Sequence, residues 1–135
     1  MKKNIFMLVL ALGAGMATAQ QLTASATTKE AVAIFKWNEQ VFDFGAIEKG
    51  KPVTHEFEFV NNGSAPLIIS NVKPSCGCTT PEWTRDPIPV GGTGYIKATY
   101  NAANAGAFNK TITVNANVEG QVVLTIKGVV QEAVN

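Results

Sequence analysis

Apolar residues recur at every second position in one segment of this chain after another, and a period of two is the signature of half-buried strands. Val53, His55, Phe57 and Phe59 fall on one face of such a segment, while Thr54, Glu56 and Glu58 fall on the other. Ile96, Ala98 and Tyr100 alternate with Lys97 and Thr99; Ile112, Val114 and Ala116 alternate with Thr111, Thr113 and Asn115; Val122, Leu124 and Ile126 alternate with Val123, Thr125 and Lys127. Phe35, Trp37, Phe42 and Phe44 give two short strands near the start, closed by a turn at Glu48-Lys49-Gly50. Leu67 to Val72 is a continuous β-rich run, which predicts a strand covered on both sides. Between these segments stand turn formers: Asn61-Asn62-Gly63-Ser64, where Asn-Gly predicts a hairpin, Gly91-Gly92-Thr93-Gly94, and Glu119-Gly120. No segment carries a helical period. About seven short antiparallel strands in roughly a hundred residues predict an all-β, immunoglobulin-like β-sandwich. An up-and-down barrel is the alternative.

The first residues bear on compartment. Lys2 and Lys3 precede an almost wholly apolar stretch, Ile5 to Ala17, and Ala17-Thr18-Ala19 is a small-x-small cleavage site. This pattern predicts a secretory signal peptide over 1–19. The apolar stretch is shorter than the roughly 20 residues that span a bilayer, so no transmembrane segment is expected in the mature chain. Residues 20–33 are polar and small, a flexible leader, and the sandwich domain is expected over 34–135. The expected location is the periplasm or the cell surface.

Charge narrows the partners. The 135 residues hold 11 Lys and Arg against 10 Asp and Glu, and the basic residues are scattered singly. Nucleic acid is therefore not expected as a partner; an unknown protein or glycan is.

Cys76-Gly77-Cys78 holds the only two cysteines. A disulfide wants its Cα atoms roughly 5.5–6 Å apart, and an extended i, i+2 pair is usually wider, but Gly77 has the backbone freedom to fold the pair inward. Closing a three-residue loop would stabilise the fold by only about 1.6 kcal/mol. Four readings stay open: a buried thiol pair or local disulfide; a thiol-redox site, which needs a nearby cation such as Lys73 or Arg85; a copper(I) site, since two thiolates suit a soft ion; and a cysteine nucleophile served by His55 with Glu56 or Asp43. Asp43, between Phe42 and Phe44, reads as a turn or surface acid. Trp83 is either a lid folded back over the cysteine loop or an exposed aromatic anchor. No phosphate loop, nucleophile elbow or His-Glu-x-x-His is present, so neither a cofactor nor an enzyme is expected.

The order of motifs Phe42-Asp43-Phe44-Gly45, Thr54-His55-Glu56-Phe57, Asn61-Asn62-Gly63, Pro66-Leu67-Ile68-Ile69, Cys76-Gly77-Cys78-Thr79-Thr80-Pro81 and Tyr95-Ile96-Lys97-Ala98-Thr99-Tyr100 resembles a secreted bacterial family of single immunoglobulin-like domains of unknown function. More distantly it is similar to the sperm-protein, pilus-chaperone and hydin-type sandwiches. Those families usually place Pro-Gly at the turn where this chain has Pro89-Val90-Gly91. The resemblance implies a fold and a compartment, and no activity. The function expected from all of this is an exported, non-enzymatic module that binds or presents a partner, with a thiol-redox or copper-handling module on Cys76 and Cys78 as the alternative.

Overall fold

In the computed structural model, which describes Gly13, Gly15 and residues 30–133, the alternation resolves into eight strands. They are β1 (Phe35–Trp37), β2 (Val41–Glu48), β3 (Val53–Asn61), β4 (Ile69–Pro74), β5 (Thr79–Trp83), β6 (Thr93–Tyr100), β7 (Gly106–Ala116) and β8 (Val122–Gln131). The expected signal peptide lies outside the described residues. Two four-stranded sheets, in the orders β1-β3-β6-β5 and β2-β8-β7-β4, enclose a core of Phe57, Phe59, Leu67, Ile88, Ile96, Ile112, Leu124 and Ile126, all nearly solvent-free. The protein is an all-β sandwich.

Three expectations need correcting. First, not every strand pair is antiparallel: β2 runs parallel to β8, with Val41 opposite Thr125 and Glu48 opposite Gln131. The chain breaks at Asn38–Gln40 and changes sheet, so β1 and β2 serve different layers and β2 lands beside the last strand. Second, Leu67–Val72 is not covered on both sides. Leu67, Ile69 and Val72 are buried while Ile68, Ser70 and Asn71 are exposed, because a strand of a two-layer sandwich has only one covered face, and the register shift between Ile69 and Asn71 puts two exposed residues in succession.

The third correction concerns Asn61-Asn62-Gly63-Ser64, which makes no hairpin. β3 and β4 lie in opposite sheets. A two-residue Asn-Gly hairpin needs positive φ at both central residues, and neither Asn62 nor Gly63 has it. The Asn61 side chain, fully buried, organises this turn instead. Its amide donates to the carbonyls of Ala65 (2.8 Å) and Ile88 (3.0 Å), and its Oδ1 accepts from Gly63 N (3.0 Å) and Ile34 N (3.4 Å). Gly63 is required for space: a Cβ there would collide with the backbone of Val32, Ala33 and Ile34. Residues 32 and 33, placed by the sequence in the leader, are thus pinned; Ser64 N donates to Val32 O at 2.8 Å, and Ala33 is buried.

The turn lacking Pro-Gly is nevertheless well formed. Gly92 N donates to Pro89 O at 2.8 Å, and Gly91 has φ +80°. That is the left-handed third position a type II turn demands, with Val90 standing where proline is common.

Candidate functional site

The cysteines form a disulfide, with their Cα atoms 5.3 Å apart. The loop that carries them crosses from β4, at the edge of one sheet, to β5, at the edge of the other. Backbone bonds fasten the crossing on both sides: Ser75 N donates to Thr111 O (2.8 Å), Thr111 N donates to the Ser75 hydroxyl (3.1 Å), and Asn101 N donates to Cys78 O (2.9 Å). Both cysteines are half-buried, Cys78 against the core. Thr79 is buried, and its hydroxyl donates a long bond to Sγ of Cys76 at 3.9 Å.

Other residues expected around the sulfurs go elsewhere. Trp83 ends β5 rather than sitting in an irregular stretch, paired with Ile96. Five residues of extended strand separate it from Cys78, about 16 Å at the usual rise, so the indole cannot cover the loop. Nor is it a freely exposed anchor: it is half-buried against the core, with the Arg85 guanidinium 3.5 Å above its ring. Arg85 is thereby engaged with the indole, and Lys73 sits on the outward face of β4. His55 stacks on Phe42 at 3.6 Å, and its Nε2 is 2.6 Å from the Glu39 carboxylate. With the sulfurs bonded to each other and the imidazole held by Phe42 and Glu39, the nucleophile arrangement is not formed. Asp43 caps a bulge in β2, accepting from Gly45 N at 2.8 Å. Among the described residues, no three His, Cys, Asp or Glu side chains converge as a metal would require, and no helix is long and apolar enough to cross a membrane.

A second candidate region escaped the sequence reading. At the end of the sandwich marked by Asn61, opposite the cysteine loop, a cleft of about 320 Å³ opens between Val32–Phe35, Trp37, Val118 and Val122. Ile34 is 45% exposed and Val32 36% exposed, although both belong to a fixed segment. Phe35 stacks on Trp37 at 4.8 Å, and both rings meet Phe59. The Trp37 indole nitrogen is buried without an acceptor among the described residues. The signal for this cleft was weak, because Val32 and Ile34 lie in no alternating run and look like the end of a leader.

The edges of the two sheets bear on how a partner can be recruited. β1 is only three residues long, β5 contains Pro81, β2 is bulged at Gly45, and β4 has a register shift and ends at Pro74. Short, bulged and proline-bearing edges are the devices that block strand addition. Exposed lysines on two of these edges, Lys36 in β1 and Lys73 in β4, add to the obstruction.

The architecture defines the class: an all-β, immunoglobulin-like sandwich. The chain belongs to DUF1573, a family of proteins of unknown function, which it matches over residues 35–130. Among solved structures it is similar to a protein of unknown function from Porphyromonas gingivalis, at 18% identity over 79% of this chain and 51% of that one, with a TM-score of 0.66. It is also similar to PapD-like domain 7 of human CEP192, at 12% identity, 76% and 89% coverage and a TM-score of 0.62. A third likeness is to the VesB protease of Vibrio cholerae, at 13% identity, 70% and 31% coverage and a TM-score of 0.61. The chain spans about half of the Porphyromonas protein and under a third of the protease. These likenesses show the fold alone. No curated protein matches the chain in sequence.

Proposed function

We propose that this protein is an exported, non-enzymatic binding module of the periplasm or cell surface that holds a protein partner in the cleft at the Asn61 end. The carrying observation is the fixed apolar rim. Val32 and Ile34 are exposed although Gly63, Ser64 and Asn61 lock their backbone in place. A large apolar side chain held rigidly in water gains by being covered, and a rigid surface loses little entropy when a partner covers it. The Phe35 and Trp37 rings beside the rim favour a protein segment, whose apolar side chains would pack in the cleft. The apolar amino-terminal run and its cleavage pattern support export, and the singly scattered basic residues disfavour a polyanion as the partner. The blocked sheet edges favour the end of the sandwich over strand pairing.

The test is a photo-crosslinking amino acid placed at Ile34 in the exported protein, with Val129, an exposed valine on the far sheet face, as control. One discrete adduct at Ile34, abolished by Val32→Glu and missing at Val129, is the expected outcome. Equal labelling at both positions, or an adduct indifferent to Val32→Glu, would refute the reading.

A further inference from the structure

We infer that the Cys76–Cys78 bond is a thiol-exchange site for an anionic thiol, with Lys110 as its positioning cation. The inference is independent of the cleft, which lies at the other end of the molecule. It starts from what the bond does not do. A structural disulfide restrains parts of the chain that would otherwise separate; this one joins neighbours that hydrogen bonds to Thr111 and Asn101 already hold. Its three-residue loop contributes little closure entropy. Gly77 is exposed, with open space around it, so the loop is approachable from solvent.

The register supplies the cation. In the β4–β7 ladder Val72 faces Val114, Lys73 faces Thr113 and Pro74 faces Ile112. The bond from Ser75 N to Thr111 O continues that ladder by one residue, which brings Cys76 to the level of Lys110. Lys110 also shares the inward register of β7 with Phe108 and Ile112, and it is half-buried where they are buried. A lysine at such a position lays its stem over apolar surface and carries its ammonium to the rim, here the rim beside the cysteine loop. Of the cations nearest in sequence, Arg85 stacks on Trp83, and Lys73 lies on the exposed outward face of β4.

The chemistry balances with a thiol as the only co-reactant. A thiolate attacks Sγ of Cys76, because Cys78 is the sulfur packed on the core. A new S–S bond forms to Cys76, the Cys76–Cys78 bond breaks, and its electron pair leaves on Cys78 as a thiolate. A second thiolate then attacks the incoming sulfur, releasing the oxidised thiol as its disulfide and leaving Cys76 reduced. Two electrons pass to the protein, and protons from water reprotonate the two sulfurs. Negative charge spreads over three sulfurs at the moment of attack, where a cation and the Thr79 hydroxyl lower the barrier.

The oxidised protein is treated with glutathione, an anionic thiol, quenched with maleimide at intervals and read by intact mass. Lys110→Gln is expected to slow reduction about fivefold or more, Lys110→Arg to stay within about twofold of wild type, and high salt to slow the wild type while leaving Lys110→Gln unchanged. Equal rates for wild type and Lys110→Gln, or reduction that occurs only once the protein is unfolded, would overturn the proposal. Should Lys110→Gln fail to fold, the salt dependence of the wild type decides alone, and a rate flat in salt overturns it.

Discussion

The two ends of this sandwich are closed by opposite means. At the cleft end, one buried asparagine gathers four backbone groups from three separate segments, and a glycine lets two backbones touch. At the other end, a covalent bond joins two residues that are neighbours in sequence. The weaker kind of interaction does more of the holding, because what a tie contributes depends on how far apart its partners would drift without it. Asn61 binds Ile34 and Ile88, each 27 positions away, whereas the disulfide spans a separation of two.

That contrast is open to attack, and the sharpest attack is at Asn61. Asn61→Leu strips buried carbonyls and amides of their partners, so urea denaturation is expected to show a loss of about 3–4 kcal/mol. Gly63→Ala drives a Cβ into the Val32–Ile34 backbone and is expected to cost about 2–3 kcal/mol. It should also open this segment to limited proteolysis, which maps the damage to the cleft end. Cys76→Ser with Cys78→Ser is expected to cost no more than about 1–2 kcal/mol and to keep the circular dichroism spectrum of the native fold. If the double serine variant proved less stable than Asn61→Leu, the comparison between the ends would be inverted. Smallest of all is the expected effect of Trp83→Ala on the reduction rate of the disulfide: none beyond about twofold, because β5 carries the indole about 16 Å from Cys78. A several-fold acceleration in the folded variant would restore the indole as a cover for the sulfurs.

Much of the fold was legible because alternation is a local property. Val53 to Phe59, Ile96 to Tyr100 and Val122 to Ile126 each declare a buried face without reference to any other segment. Sheet membership is not local. Nothing in Asn61-Asn62-Gly63-Ser64 says that the next strand joins the opposite layer, because the residues that decide it, Ile34, Ala65 and Ile88, act through the buried Asn61 amide. The parallel neighbour of β2 was hidden for the same reason. Of the candidate sites, Cys76 and Cys78 stood out by rarity. Lys110 did not, since its relation to Cys76 exists only in the β4–β7 register and the two are 34 positions apart. Trp83 was misjudged through Pro81 and Pro87, which suggest irregular chain, although an outer strand tolerates a proline.

The parallel pairing of β2 with β8 also fixes how the domain answers a pull. The chain comes into the sandwich through Val32–Phe35 at the cleft end, and β8 finishes at Gln131 beside Glu48, at the cysteine end. Tension between these two points draws β2 toward one pole and β8 toward the other, along the strand axes. The backbone bonds that join them, from Val41 opposite Thr125 to Glu48 opposite Gln131, lie across that direction and are strained together instead of parting one after another. A domain threaded in this way bears load in shear, the stronger of the two ways in which a sheet can be drawn apart.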